Sequence, residues 1–69
     1  MKFKEYEIVK LIKPLEGSNI PIGTMGVVVA IYESSPTKYE IEFVNERNET
    51  ISLATVSEEF LEHFTNKSS

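Results

Sequence analysis

Few residues in this chain have the type and spacing that chemistry needs. The sole histidine, His63, has Glu62 beside it and Glu59 four residues before it, a pair that would share one face of a helix. A serine triad needs a histidine held by an acid and aimed at a hydroxyl. Here the pair sits near the chain end with no serine placed to use it, so it reads as a surface charge contact. Cysteine is absent, which removes the thiol nucleophile and the soft metal ligands together. No catalytic residue, metal site or cofactor is expected.

Three further groupings invite the same question. Glu40 and Glu42 stand two apart, so on a strand both carboxylates point to one face, as in a glycosidase pair. With no tryptophan in the chain to stack a sugar, a solubilising outer face explains them better. The run "NERNE" (Asn45 to Glu49) offers oxygen ligands, but it lacks the aspartates at alternating positions of a calcium loop and reads as a solvated turn. Gly23 and Gly26 in "PIGTMGVVVAIY" resemble a phosphate-cradling pair. They precede a β-branched run rather than a helix, however, and without a helix N-terminus the cradle is missing. Their expected role is a corner, where glycine supplies a positive φ or a close backbone approach.

The elements that carry these residues are strands. "YEIVKLI" (Tyr6 to Ile12) places Val9 and Leu11 on one face and Ile8 and Ile12 on the other; Lys13-Pro14 ends it, because proline cannot donate to a ladder. A long connection follows to Gly26, of the kind that binds a ligand or covers an open barrel end. Val27 to Tyr32 is the second strand, with Val27, Val29 and Ile31 on one face and Val28, Ala30 and Tyr32 on the other. Both faces are apolar, so it belongs in the middle of the sheet. "KYEIEFV" alternates cleanly, with Tyr39, Ile41 and Phe43 inward and Glu40 and Glu42 outward. "TISLA" is the fourth strand, with Ile51 and Leu53 expected inward. Thr55 to Glu58 then matches a capping box, with Ser57 as an alternative cap, and "EEFLEHF" is expected as a short helix with Phe60, Leu61 and Phe64 along one side, facing either the core or a partner. Residues 65–69 read as a disordered tail after one domain over residues 1–64.

Sixty-nine residues with 41% hydrophobic content and no disulfide make one small core, which self-association or a partner would reinforce. The net charge of −4 comes from eleven glutamates, with no aspartate, against six lysines and Arg47 scattered along the chain. A nucleic-acid binder shows a basic face; none is visible, and an acidic domain steers toward basic partners instead. The start "MKFKEYEIVK" has no apolar signal core, and nothing approaches a membrane span, so a cytoplasmic location is expected. The fold class is mainly β: a small, strongly bent antiparallel sheet or partly open barrel of four to five strands with a short C-terminal helix.

In order along the chain, "KEYEIVKLIKPL", "IPIGTMGVVVAIYE" and "YEIEFVNERNETISLATVSEEFL" resemble a family of small bacterial proteins known as domain of unknown function 4926. The resemblance runs from about Phe3 to Leu61. It rests on the Gly-x-x-Gly corner into a valine-rich strand, the Tyr-Glu-x-Glu-Phe-Val strand and the Leu-Ala-Thr-Val ending. The hairpin departs from the pattern by lacking a glycine, and the long loop carries Glu16 to Asn19. The resemblance implies an SH3-like barrel without assigned enzyme activity and with no catalytic residues to carry over. It also implies an antitoxin or immunity role, because proteins of this kind are often encoded beside toxins.

The expected function is therefore non-enzymatic protein binding: an immunity protein or antitoxin that neutralises a toxin, with a basic nuclease as the example that fits an acidic surface. Contacts would come from Glu40, Glu42, Glu46 and Glu49, with Tyr32 or Tyr39 as an aromatic anchor. The alternatives are a KOW-like nucleic-acid or ribosome-associated module, which would need Lys10, Lys13, Lys38 and Arg47 on one face, and a domain that pairs with itself through an open strand edge. An SH3-type peptide groove lined by Tyr6, Tyr32 and Tyr39 would also want a tryptophan, and there is none.

Overall fold

The β-branched and aromatic runs form five strands in the computed structural model, which describes residues 2–65; the expected tail at 65–69 lies, beyond Thr65, outside the described residues. β1 is Ile8–Leu11, β2 Met25–Tyr32, β3 Lys38–Val44, β4 Thr50–Ser57 and β5 Leu61–His63. They make one sheet in the order β4-β3-β2-β1-β5, with every neighbouring pair antiparallel. The sheet is not closed into a barrel. β2 lies at its centre, where a strand apolar on both faces belongs.

One face of the sheet carries the core. Val9, Val28, Tyr39, Ile41, Phe43, Val56 and Leu61 are buried there, and Phe3 folds in from the chain start. The alternation of β3 is as its sequence dictates: Tyr39, Ile41 and Phe43 have no solvent exposure. From the long β1–β2 connection, Leu15 and Ile20 pack against the same cluster, so this loop acts as a cover.

Gly23 and Gly26 meet the corner's two demands separately. Gly23 adopts φ +97°, and its N–H donates to the Leu11 carbonyl at 2.8 Å. Gly26 sits between Val9 of β1 and Phe43 of β3. A Cβ there would lie 2.5 Å from the Ile41 side chain and 3.1 Å from the Glu42 carbonyl oxygen, so the strands close only over a bare Cα.

Three expectations need correction. In β2, the register shifts between Val28 and Ala30, leaving Val29 as an extra residue. Beyond this bulge the parity reverses: Ala30 pairs with outward Glu40, and Ile31 with inward Tyr39. In β4, Ser52, Ala54 and Val56 stand opposite Phe43, Ile41 and Tyr39, so these share the core face. Ile51 and Leu53 are therefore outside, 48% and 56% exposed. A second register shift beside Val44 makes Ile51 the unpaired residue.

The C-terminal helix is also absent. Thr55 to Ser57 continue β4, only a 3-10 turn forms at Glu58–Phe60, and β5 follows. Ser57 makes no side-chain cap. Burying Val56 against Tyr39 and Leu61 against Leu11 requires two strands flanking a tight turn. A two-turn helix would gain little on its own.

Candidate functional site

The face of the sheet away from the core holds Glu40, Glu42 and Tyr32 of the residues expected to make contacts, together with Ile51 and Leu53, which were expected inside. Cross-strand pairing lays out one row across four strands: Ile8 opposite Val27, Val27 opposite Glu42, and Glu42 opposite Leu53. The next row toward the β3–β4 hairpin runs Lys10, Met25, Val44. Beside it lies a cleft of about 690 Å³, whose apolar wall is Ile22, Met25, Val44, Ile51 and Phe64 and whose polar wall includes Glu46 and Arg47. Ile8, Ile22, Ile51, Leu53 and Phe64 are all exposed. Scattered exposed aliphatics are ordinary; three of these, Ile22, Ile51 and Phe64, meet in one cleft, and Ile8 and Leu53 lie at the two ends of the adjoining row, which marks a contact surface.

Glutamates sit within and around this apolar surface. Glu40 accepts a hydrogen bond from the Thr55 hydroxyl at 2.6 Å, and the Tyr32 hydroxyl lies 3.5 Å away. Glu42, half-buried, accepts from the Thr50 hydroxyl. Both carboxylates are thus propped by hydroxyls on neighbouring strands and point outward. Tyr32 is half exposed beside Glu40, which suits an anchor role. Tyr39 does not: it is fully buried, so its place among the contact residues is withdrawn. Its hydroxyl donates to Glu58 at 2.8 Å and accepts the Lys2 and Phe3 N–H groups at 3.1 and 3.3 Å. Burial, and then the hydrogen bond with Glu58, raise the Tyr39 pKa, while the donated hydroxyl lowers that of Glu58. Tyr6 and Tyr32 are exposed but Tyr39 is buried, so the three tyrosines do not share one surface groove.

The hairpin explains the missing glycine. Asn48 takes the left-handed conformation, φ +62°, which asparagine tolerates. Asn45 Oδ1 accepts the Arg47 and Glu49 N–H groups at 2.8 and 3.0 Å, and its amide nitrogen donates to the Glu49 carboxylate at 2.8 Å. Asn45 and Glu49 therefore build the turn, which leaves Glu46 and Arg47 to face the cleft. Among the described residues no group of three or more His, Asp or Glu side chains is placed to hold a metal ion.

His63 has different partners from those its spacing suggests. On β5 its Nδ1 meets the Glu7 carboxylate, and its ring packs on Phe3 at 4.8 Å between centroids. Glu59 pairs with Lys13 at 3.2 Å and Glu62 with Lys10 at 3.1 Å. The i, i+4 arrangement vanishes with the helix. The cations required for a nucleic-acid face are also dispersed: Lys10 and Lys13 are in ion pairs, and Lys38 and Arg47 lie at opposite ends of β3.

What sequence reasoning missed were the apolar members of the site, Ile22, Ile51, Leu53 and Phe64. The absence of any charge in "TISLATVS" leaves both faces of β4 looking like core, and only pairing to β3 decides between them. The chain matches the model of the domain of unknown function family DUF4926 over residues 5–63. It belongs to that family. No curated protein and no solved structure matches it. Among the described residues, no helix is long and apolar enough to cross a membrane.

Proposed function

We propose that this DUF4926 member is a non-enzymatic protein-binding module of the cytoplasm, most concretely an immunity protein or antitoxin that neutralises a toxin by covering its basic active face. One observation carries the reading: exposed Ile22, Ile51 and Phe64 meet in one cleft with Glu46, and exposed Leu53 stands opposite Glu42 on the adjoining outer face of the sheet. Apolar groups at the centre of such a surface supply affinity, and the surrounding acids steer a cationic partner and set the register. A nuclease fits this chemistry, because its phosphate track is basic and would accept a row of carboxylates. We also read the sheet as SH3-like, supported by the central β2 and by the tight turn that leads β5 back beside β1.

The test is capture on immobilised protein, eluted in a salt gradient, with wild type beside two variants. Glu40→Gln/Glu46→Gln should lower the salt concentration needed for release, and Ile22→Ser should abolish retention while the variant stays folded. A partner held equally by all three proteins would overturn the reading, as would recovery of nucleic acid or ribosomal protein alone.

A further inference from the structure

The open sheet has two edges, and they are built differently. β5 is blunted: it is three residues long and carries Glu62 and His63. β4 has eight residues, "TISLATVS", without a charge or a proline, and among the described residues nothing pairs with it beyond β3. Long, uncharged, unprotected edges are what natural proteins avoid unless the edge is used. The β1–β2 loop does not cover it. A cleft of about 590 Å³ separates Gly17–Ile20 from Ile51–Ala54. Consecutive β4 residues, whose side chains point alternately to the two faces, line this cleft, so it opens onto the edge itself.

We infer that β4 pairs antiparallel with β4 of a second copy, about a two-fold axis normal to the sheet at Leu53. Antiparallel pairing about such an axis keeps outer face with outer face. Leu53 then meets its own counterpart, Ile51 stands opposite Thr55, and on the core side Ser52 stands opposite Ala54. The largest exposed side chains of the strand thus cluster on the outer face, and the small ones lie on the core side, where the loop leaves space.

Charge selects the second copy over other occupants. A chain of net charge −4 repels itself at most surfaces. At β4 no like charges are opposed. The acids of β3 would be held three strand spacings apart, roughly 14 Å, beyond a Debye length of about 8 Å. A basic strand would find no carboxylate on this edge to pair with its charges, so charge does not favour it there. In the resulting ten-stranded assembly the two outer faces point the same way, so the pairing leaves the outer face open and joins two docking surfaces side by side across the Leu53 pair.

Sedimentation over about a thousandfold range of concentration tests this. Wild type should approach twice the 7.9 kDa of the chain at high concentration. Leu53→Lys and Leu53→Glu should each stay monomeric and folded by circular dichroism, and an equimolar mixture of the two should regain the doubled mass. Ile22→Ser, away from the edge, should dimerise like wild type even though it loses the docked partner. The inference is overturned if wild type keeps the mass of one chain throughout, if Leu53→Lys dimerises unchanged, or if the mixture stays monomeric. Protection of β4 amides from hydrogen exchange only when a different protein is added would overturn it as well.

Discussion

At the residue scale, two backbone positions make opposite demands on their side chains. Gly26 is needed for its absent Cβ: an alanine would press on Ile41, on the Glu42 carbonyl and on Phe43 at 3.2 Å. Two of these atoms belong to core side chains and the third is backbone, so little can yield. Gly26→Ala should destabilise by about 1–3 kcal/mol, as overpacking does, measured by urea denaturation. Tyr6 is the reverse case. It holds φ +69° with its side chain 70% exposed, while its N–H donates to the Val28 carbonyl at 2.6 Å beside the β2 bulge. Left-handed backbone costs a bulky residue on the order of 1–2 kcal/mol, and asparagine tolerates it. Tyr6→Asn should therefore stabilise the fold by about 0.5–1 kcal/mol, since the exposed ring forfeits little burial. A loss of stability on that substitution would mean that the ring makes contacts its exposure does not suggest.

At the element scale, β4 separates what could be read from the chain and what could not. Its register makes an ordered prediction. Val56→Ala removes buried methyls opposite Tyr39 and should cost about 1–3 kcal/mol, whereas Leu53→Ser, on the exposed face, should stay within about 0.5 kcal/mol at low protein concentration. The reverse order would restore the pattern in which Ile51 and Leu53 face the core. β3 was legible because charges mark one of its faces; "KYEIEFV" admits one orientation. The central place of β2 followed equally from its apolar faces, but not its bulge, since nothing in "VVVAIY" marks Val29 as the extra residue. "TISLATVS" was illegible in a different way: both of its faces are uncharged, and the turn that fixes its register is built by Asn45 and Asn48 rather than by a glycine signal. The apparent helix failed because the capping pattern at Thr55 to Glu58 is local, and the burial of Val56 and Leu61 across β3 and β1 outweighs it. The glutamates of the candidate site were therefore visible in the sequence, and its apolar centre was not.

At the scale of the whole molecule, three titrating groups set a pH range over which the segment Lys2 to Glu7 stays tied to β3, the β4–β5 turn and β5. Glu7 accepts the Lys4 N–H at 2.9 Å, which chiefly lowers its pKa, and it also meets His63 on β5. Glu58 accepts the Tyr39 hydroxyl and the Lys2 N–H, and its pKa is lowered chiefly by the former. Both carboxylates bind protons less readily in the folded state than in the unfolded chain. Their contribution is complete above the ordinary value of 4.5 and is lost as pH falls through their lowered folded values. Tyr39 has the opposite sign: its pKa is raised from 10.0, chiefly by burial. Its contribution is complete below 10.0 and is lost as pH rises through the higher folded value. Thermal stability should form a plateau between these limits and decline on both sides. Tyr39→Phe should remove the alkaline decline due to this hydroxyl, and it should also shrink the acid decline, because Glu58 loses the donor that lowers its pKa. Glu58→Gln should reduce the acid decline while the alkaline limb persists, since burial, rather than Glu58, is the main cause of the Tyr39 shift. If Tyr39→Phe left the acid limb of the melting profile unchanged, Tyr39 and Glu58 would be shown to titrate independently, and the tie between the chain start and the β4–β5 turn would have to rest on the Lys2 N–H bond to Glu58 and on packing of Phe3.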